Sequence, residues 1–360
     1  MKKHYKKEIL IYCPVLEHGG IATTLVNIAN YLSENYKIRI FTNSINRHTK
    51  EKLKHKISIH DINKKKILNF RLLNSLYVFL NLKKHINKNS IIFSLQDHIP
   101  ILILNKFFLG KKIIIRTSSV ILNSKNITEF QNYKFRYFKI LSTYLYRLSN
   151  YVITYSNENV KTLKTRGVSN VKCIFNHFKK NHPVKILKKK IFNIFFIGRL
   201  TDEKNPGFFL ENLVNFKKVN LHFVADGNLK ENLKKISKGK NNIFFHGYVY
   251  EPFKKFRGKI NLLCITSKYE GTPNVMGEAM SYKIPVLAPK GVGLADYFIK
   301  NEKYGFLYEP NNSNSFKKKV YYIMNNYSIS LNKAKNAFKG LDRFSEEKTL
   351  GSIKKIIDNL

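Results

Sequence analysis

Short runs of β-branched and aromatic residues alternate with longer segments of helical period, and this alternation constrains the fold more than any other feature. The runs are continuously apolar, which is typical of parallel strands buried on both faces of a sheet. They lie at 8–12, 38–42, 91–94, 112–117, 151–156 and 171–175, and then at 191–198, 219–226, 242–248, 261–267 and 284–289. Two such series in 360 residues predict two doubly wound α/β domains.

A lysine-rich stretch at 185–190 separates the two series of strands. It follows a proline and contains no small turn residues. We interpret residues 181–190 as an interdomain linker between an N-terminal domain at 1–180 and a C-terminal domain at 191–344.

The chain carries a large excess of positive charge. Its 65 Lys and Arg residues against 23 Asp and Glu residues give a formal net charge of +42, spread over both halves. Such a field attracts nucleic acid, an anionic membrane surface or phosphorylated ligands, and it does not distinguish among these three classes. The abundance of Lys, Asn and Ile also indicates an AT-rich coding bias, which accounts for part of the excess.

Features of exported, membrane-spanning and zinc-binding proteins are missing from the sequence. The start loses its apolar run after a few residues, and no stretch approaches the ~18 uncharged residues that a bilayer span requires. Cys13, Cys173 and Cys264 are isolated thiols without metal-ligand spacing. We therefore expect a cytoplasmic protein with no metal site, associated at most peripherally with the inner face of the cytoplasmic membrane.

Two loops that follow predicted strands have residues suited to an anionic ligand. Gly19 and Gly20 precede the first helix, where backbone N–H groups favour an anion, although a tight turn explains the pair equally well. The loop at 198–206 leads into a helix predicted to start near its final proline, and it carries Arg199 and Lys204. A forked cation and a point charge together suit a diphosphate.

The segment at 267–293 is the most informative one. We expect it to leave a strand, turn, and enter a helix with Thr272 as the N-cap and Pro273 in the first turn. The N–H groups of that helix start would face a phosphate or a sugar hydroxyl. Glu270 and Glu278 bracket this start in a chain that is poor in acids, which favours a functional role for both carboxylates.

These residues resemble the E-x7-E signature of the retaining glycosyltransferases of family 4, which have the GT-B fold. Further motifs of the family match in the same order along nearly the whole chain, at 19–20, 174–178, 198–205, 225–228 and 246–249. The resemblance implies two Rossmann-like domains with parallel sheets facing a central cleft. It also implies that a helix at 345–360 packs back on the N-terminal domain.

The resemblance assigns a role to each matching residue. Arg199 and Lys204 would neutralise the donor diphosphate as the glycosidic bond breaks, which removes the need for a metal. Glu270 would hold the hydroxyls of the transferred hexose, and Glu278 those of the ribose. A nucleotide-diphosphate sugar, expected to be UDP-linked, is then the co-substrate, and no cofactor is needed. The implied donor contacts are Gly19, Gly20, Gly198, Gly227, Tyr248, Val249, Gly271, Thr272, Pro273, Asn274, Val275 and Glu278.

One position departs from the family pattern. Many members have a histidine after the strand that corresponds to 112–117, and this chain has Ser118 and Ser119 there. Either hydroxyl is a candidate contact for the sugar or the acceptor, and neither is a general base. His98 in the preceding loop is a candidate substitute, with an exposed histidine at a helix start as the alternative.

Acceptors of this fold generally dock on the N-terminal domain. The stretches at 64–88 and 133–148 set apolar side chains between basic ones. Each is either an interfacial helix that binds an anionic membrane near a lipid-linked or oligosaccharide acceptor, or a core-facing helix with a basic outer face.

Three functional interpretations follow. The first is hexosyl transfer to a surface-glycan precursor of the lipopolysaccharide or capsule type. The second is a GT-B-like sugar-nucleotide isomerase or a non-catalytic relative, which the missing histidine leaves open. The third is a nucleic-acid-binding protein, and we expect no such partner because no recognition motif accompanies the diffuse charge.

Overall fold

The computed structural model describes residues 7–16, 19–63, 70–117, 140–181 and 191–360. It divides into two compact units. Unit 1 comprises Met1–His177 and Glu346–Leu360, and unit 2 comprises Phe178–Ser345. Most of the predicted linker lies outside the described residues, so the domain bounds 1–180 and 191–344 remain predictions.

Unit 1 is built on a parallel sheet with the strand order β3-β2-β1-β4-β5-β6-β7 in its described part. The strands are β1 Glu8–Tyr12, β2 Lys37–Thr42, β3 Ser58–Asp61, β4 Ser90–Ser94, β5 Lys112–Arg116, β6 Tyr151–Thr154 and β7 Val171–Cys173. The described helices before residue 178 are α1 Gly20–Leu32, α2 Arg47–Glu51, α3 Arg71–Lys83, α4 His98–Leu104 and α5 Asn157–Thr165. A π-helical turn, Asn105–Leu109, extends α4, and a 3₁₀ turn spans Leu145–Leu148.

Both faces of this sheet are covered, which explains its continuously apolar strands. Ile9 and Ile11 of β1 pack on the side of α1, whereas Leu10 and Tyr12 pack on the side of α3 and α4. Successive residues of a strand point to opposite faces, so a strand buried on both sides has no polar alternation. The apolar stripe of α1, from Leu25 to Leu32, faces the first of these cores.

Unit 2 repeats the plan, with the strand order β10-β9-β8-β11-β12-β13 and parallel pairing throughout. Its strands are β8 Phe192–Ile197, β9 Val219–Val224, β10 Ile243–Phe245, β11 Leu262–Cys264, β12 Val286–Pro289 and β13 Phe306–Tyr308. Its helices are α6 Pro206–Leu213, α7 Lys230–Ile236, α8 Pro252–Lys255, α9 Asn274–Ser281, α10 Ala295–Ile299, α11 Ser313–Asn325 and α12 Tyr327–Gly340, followed by a 3₁₀ turn, Leu341–Phe344.

The chain returns to unit 1 after residue 345. A π-helical turn, Glu347–Gly351, leads into α13 Ser352–Asp358. Leu350, Ile353 and Ile357 lie in the same apolar core as α1. Within the described residues, no helix is long and apolar enough to cross a membrane.

Every strand run predicted from the sequence contains a strand, and two strands were not predicted. These are β3 and β13, which lie at the outer edges of the two sheets. Their sequences, SIHD and FLY, are too short or too polar to resemble a strand buried on both faces.

Candidate functional site

Two loops of unit 2 leave neighbouring strands at the same edge of the sheet. One follows β8 and spans 198–205, and the other follows β11 and spans 265–273. The two strands pair in parallel, with Leu262 opposite Ile194. The carboxyl ends of parallel strands therefore bring the two loops together, at the edge where doubly wound sheets bind their ligands.

Three donor–acceptor contacts, two of which share the Thr266 hydroxyl proton, tie these loops to each other. The Thr266 hydroxyl is within donor distance of the backbone carbonyls of Lys204, at 3.1 Å, and Asn205, at 2.9 Å. The Lys268 N–H donates to the carbonyl of Glu203 at 2.9 Å. Because the contacts involve backbone atoms of both loops, the position of one loop fixes the position of the other.

A partly buried ion pair lies at this junction. Lys204 Nζ is 2.7 Å from Glu270 Oε1, and the Ser267 hydroxyl donates to the same oxygen at 2.8 Å. The two charged side chains are only 18% and 11% exposed. A Cβ on Gly293 would lie 2.5 Å from the carbonyl oxygen of Glu270, so the loop packs directly on that glycine. The residues that the sequence assigned to the diphosphate and to the sugar are thus neighbours.

The other predicted cation is held more loosely. Arg199 is 68% exposed, and its Nη2 atom lies 3.3 Å from a carboxylate oxygen of Glu203. The second oxygen of Glu203 is 3.4 Å from Lys204 Nζ. Exposed pairs of this kind contribute about 0–1 kcal/mol, so an incoming dianion can displace Glu203 at little cost.

A third loop, between β9 and α7, packs on the first one through a glycine. The Leu200 N–H donates to the carbonyl of Asp226 at 2.9 Å, and the Leu229 N–H donates to the carbonyl of Leu200 at 3.0 Å. A Cβ on Gly227 would lie 2.5 Å from the Leu200 carbonyl oxygen. No side chain fits there without moving the backbone, which gives the predicted Gly227 a definite structural requirement.

The start of α9 differs from the prediction. The helix begins at Asn274, and the flanking residue is Pro273, with φ −75° and ψ 82° and no side-chain cap, so Thr272 as the N-cap is wrong. These angles form an inverse γ-turn, which is closed by the Asn274 N–H donating to the carbonyl of Thr272 at 2.9 Å. Gly271, Thr272, Asn274, Val275 and Glu278 are all half-buried.

The remaining predicted donor residues of unit 2 lie along the same edge. Gly198 directly follows β8 and is half-buried. Tyr248 and Val249 follow β10 at the outer end of the sheet, and Tyr248 is 52% exposed. An exposed aromatic ring at this place offers a surface on which a nucleobase can stack.

Two histidines contact each other near the loop that follows β10, His222 in β9 and His246 directly after β10. His222 Nδ1 lies 3.0 Å from His246 Nε2, and the His222 ring stacks on Phe195 and Phe244. Burial, followed by the nearby His246, lowers the pKa of His222 to about 4. Burial, with Lys255 as a smaller cause, also lowers the pKa of His246. The pair is therefore neutral at physiological pH.

In unit 1, the structure places three of the predicted residues. Gly19 has φ 95° and precedes α1, which begins at Gly20, and both glycines are exposed. His98 is the first residue of α4 and is buried rather than exposed, with its Nδ1 atom 2.9 Å from the Ser94 hydroxyl. Ser118 and Ser119 lie outside the described residues.

Sequence reasoning assigned no role to Arg116, the last residue of β5. Its side chain is 6% exposed, and its Nη2 atom donates to Asn176 Oδ1 at 2.7 Å. Burial lowers its pKa to about 10, so the group remains charged at neutral pH. The signal available in the sequence was a cation that directly follows the apolar run of three isoleucines in β5.

No group of three or more His, Cys, Asp or Glu side chains in the described part of the chain is arranged to hold a metal ion. Cys13 and Cys264 are buried and Cys173 is half-buried, all three as free thiols.

Comparison with known proteins identifies what this architecture resembles. Residues 177–340 match the family Glycosyl transferases group 1. The uncharacterized glycosyltransferase MJ1059 of Methanocaldococcus jannaschii is 29% identical over 251 residues, which cover 61% of this chain and 60% of that protein. The structure of HepE from Anabaena in complex with UDP-glucose superimposes with a TM-score of 0.79, at 19% identity, over 98% of this chain and all of HepE. The fold is GT-B.

A further relative aligns over most of its length. It is the α-1,4-N-acetyl-D-galactosaminyltransferase of Campylobacter jejuni that acts on an undecaprenol diphosphate-linked GalNAc-GalNAc-diNAcBac glycan. It is 24% identical over 337 residues, which cover 89% of this chain and 90% of that enzyme. The match to the family covers the part of this chain that carries the tied loops, whereas the chain spans less than two thirds of the length of MJ1059.

Proposed function

We propose that the protein transfers a hexose-type sugar from a nucleotide-diphosphate donor, UDP-linked, to a surface-glycan precursor, with retention of configuration and without a metal. The observation that carries the proposal is the junction of the two tied loops. It holds Lys204 and Glu270 in contact at the carboxyl edge of the sheet in unit 2, inside the segment that matches the family.

In the proposed complex, the donor diphosphate binds the two cations of this junction, Arg199 and Lys204. Arg199 is exposed and swings from Glu203 to the phosphates, and Lys204 shares its Nζ protons between Glu270 and a phosphate oxygen. The charge that grows on the leaving diphosphate is stabilised by these fixed cations. Glu270 remains next to Lys204 and accepts hydrogen bonds from the hydroxyls of the transferred sugar.

The other proposed donor contacts hold the ribose, the base and the phosphates. Glu278 in α9 accepts the hydroxyls of the ribose, and the segment 271–275 contributes backbone amides. Gly227, Tyr248 and Val249 border the base, and Gly198 allows the nucleotide to approach the backbone. In unit 1, Gly19 precedes α1 and Gly20 is its first residue, and both are proposed to approach the phosphates or the sugar.

Two of the similar proteins support this choice of substrates. HepE was crystallised with UDP-glucose, and the Campylobacter enzyme is named for the transfer of a sugar to a lipid-linked glycan. On this basis we propose a lipid-linked acceptor, of the kind used to make lipopolysaccharide or capsule, and a location on the inner face of the cytoplasmic membrane.

The proposal is tested by incubating the protein with a panel of UDP- and GDP-linked hexoses and a mixture of lipid-linked glycan acceptors, and by following the products by mass spectrometry. We expect one donor to be consumed, with an α-linked product from an α-linked donor by NMR and an unchanged rate in EDTA. Glu270→Gln should slow transfer at least a hundredfold. The control Glu309→Gln changes an exposed carboxylate of the same unit and should leave the rate unchanged.

Three results would contradict parts of the proposal. Binding of a nucleotide without transfer to any acceptor would support the isomerase or the non-catalytic relative instead. A β-linked product would rule out retention, and loss of activity in EDTA would rule out a metal-independent reaction.

An exposed apolar face of unit 1 supports the proposed membrane contact. Leu72, Leu76 and Leu80 lie at intervals of four residues along α3 and are 75%, 39% and 45% exposed. Phe107 and Phe108 in the π-helical turn are 76% and 63% exposed. Lys83 at the end of α3 lies over the Phe108 ring, at 5.7 Å from its centre, which joins the two segments into one surface. We call these residues the apolar face.

Lys83 and Lys106 belong to the same two segments as the apolar side chains, and the whole chain carries a formal net charge of +42. Apolar side chains that enter the acyl boundary while cations remain at the headgroups are typical of interfacial membrane binding. We propose an anionic bilayer as the partner of this face.

Sedimentation with vesicles tests this contact. We expect binding to phosphatidylglycerol vesicles at low salt, weak binding to phosphatidylcholine, and release at high salt. The double variant Leu72→Ser/Phe107→Ser should bind at least tenfold more weakly, because the two most exposed apolar side chains of the face are removed. Tyr321→Ser, which alters a 52% exposed aromatic residue of unit 2, is the control. Equal sedimentation with both lipids, or wild-type binding by the double variant, would contradict the proposal.

A further inference from the structure

Arg116 is a buried cation whose hydrogen bonding is incomplete. Its Nη2 atom donates to Asn176 Oδ1 at 2.7 Å, whereas its Nη1 atom is buried and makes no hydrogen bond to any residue that the structure describes. Among the described residues, no carboxylate forms an ion pair with it, and the nearby group that acts on its charge is the Cys173 thiol. The guanidinium is therefore both short of an acceptor and short of a counter-charge.

This arrangement is costly for the folded protein. Moving a cation out of water is unfavourable unless an anion or a full set of hydrogen bonds compensates for the lost hydration. Burial alone does not remove the charge, because the pKa of Arg116 falls only to about 10. A buried charge that persists without an anionic partner among the described residues points to a ligand that supplies one.

The surroundings of Arg116 have room for a small polar group. The guanidinium lines a cavity of about 10 Å³, which accommodates one atom of the size of a water oxygen. The apolar residues that line this cavity are Ile28 of α1, Phe175, Leu350 and Ile353. Besides Arg116, the polar residues that line it are half-buried, and they are Thr24, Asn27, Asn176 and His177.

The position of the cavity in the fold suits a substrate. Arg116 ends β5, and Thr24 and Asn27 belong to the first two turns of α1, so the cavity lies at the carboxyl edge of the sheet of unit 1. That edge is where doubly wound sheets bind ligands. A guanidinium is the side chain best matched to phosphate oxygens.

We propose that Arg116 anchors an oxyanion subsite in unit 1, which receives one terminal oxygen of a phosphate or diphosphate substrate. The identification of that substrate rests on the proposed function, under which two sources share this chemistry. One is the diphosphate of the nucleotide-sugar donor, and the other is the diphosphate of a lipid-linked acceptor.

An isosteric change tests the subsite. Asn176→Asp places a carboxylate where the amide oxygen already accepts from Arg116, so the variant supplies the missing counter-charge from within the protein. We expect the ligand-free variant to have a higher melting temperature than the wild type and to bind the diphosphate at least tenfold more weakly. Asn170→Asp adds the same charge at an exposed position of unit 1 and is the matched control.

Titration calorimetry with three probes separates the sources. Wild type, Asn176→Asp and Arg116→Gln are titrated with UDP, with farnesyl diphosphate as a soluble prenyl diphosphate, and with inorganic pyrophosphate. Weaker binding of UDP by both variants assigns the subsite to the donor, and weaker binding of farnesyl diphosphate assigns it to the acceptor. Arg116→Gln decides the outcome if Asn176→Asp does not fold.

Two results would overturn the subsite. One is binding of every probe by both variants with wild-type affinity, even where Asn176→Asp raises the melting temperature, because the cavity then holds only water. The other is failure of the wild type to bind any of the three probes. Failure of the proposed function is distinguishable, since a wild type that transfers no sugar can still bind pyrophosphate through Arg116 and lose that binding in Asn176→Asp.

Discussion

The ion pair between Lys204 and Glu270 should stabilise unit 2 far more than a surface pair does. The hydrogen bond is 2.7 Å long, and the side chains are 18% and 11% exposed, so water screens the pair only weakly. A hydrogen bond between charged groups contributes about 1.5–3 kcal/mol. Lys204→Met leaves Glu270 with the Ser267 hydroxyl alone and should cost about 3 kcal/mol, because a nearly buried carboxylate loses its counter-ion.

The second single change should be milder. Glu270→Gln keeps an oxygen that can accept from Lys204, so we expect a loss of about 1–1.5 kcal/mol. Residues in direct contact do not act independently. The double variant should therefore lose less than the sum of the two single changes, by about 2 kcal/mol.

Urea unfolding of the wild type, the two single variants and the double variant measures the coupling free energy between Lys204 and Glu270. The pair Lys290–Glu309 provides the control, because it also joins distant parts of unit 2, at 3.1 Å, but both side chains are 59% exposed. Its coupling should be below about 1 kcal/mol. If the coupling of Lys204 with Glu270 is no larger than that of the control pair, the view of this junction as a partly buried, rigid centre is refuted.

Two other predictions concern unit 2. Gly227→Ala should lower the free energy of unfolding by about 2 kcal/mol or more, because the new Cβ would lie 2.5 Å from a backbone oxygen. Gly239→Ala is the control: Gly239 also has a positive φ, but its Cβ would meet open space, so the cost should be only about 1 kcal/mol. Urea unfolding measures both. The folded-state pKa of His222, about 4, lies below its ordinary value of 6.5, so the folded protein binds fewer protons than the unfolded chain between these values. Stability should be full above about pH 6.5 and fall by about 2–3 kcal/mol as the pH decreases towards 4. His222→Phe should reduce the dependence of the unfolding free energy on pH, and the control His55→Phe, at an exposed position, should not. An equal pH dependence in both variants would contradict the assignment of this effect to His222.

Much of the fold could be predicted from the sequence, because burial on both faces leaves a strong pattern. β1 and β8 lie near the middle of their sheets and are apolar except for Glu8 and Asn193, which lie at or next to the start of each strand. The edge strand β3 has a neighbouring strand on one side only. Its residues Ser58 and Asp61 are exposed, so its sequence lacks the continuous apolar run of a central strand. Sequence patterns therefore identify central strands more readily than edge strands.

The candidate site was less accessible to sequence reasoning, because its key contacts join distant residues. Lys204 and Glu270 could each be recognised by their motif, but their ion pair depends on the adjacency of β8 and β11. The error at Thr272 has a local cause, since Pro273 closes a γ-turn instead of starting the helix. Arg116 stood out only when its burial was known.

The most direct test of the central claim is the titration of UDP into the wild type, into Lys204→Met and into Lys290→Met. The tied loops of unit 2 predict that the wild type binds UDP, that Lys204→Met binds at least tenfold more weakly, and that Lys290→Met binds as the wild type does. Absence of binding by the wild type, or equal affinity of all three proteins, would contradict the assignment of a nucleotide-diphosphate site to these loops.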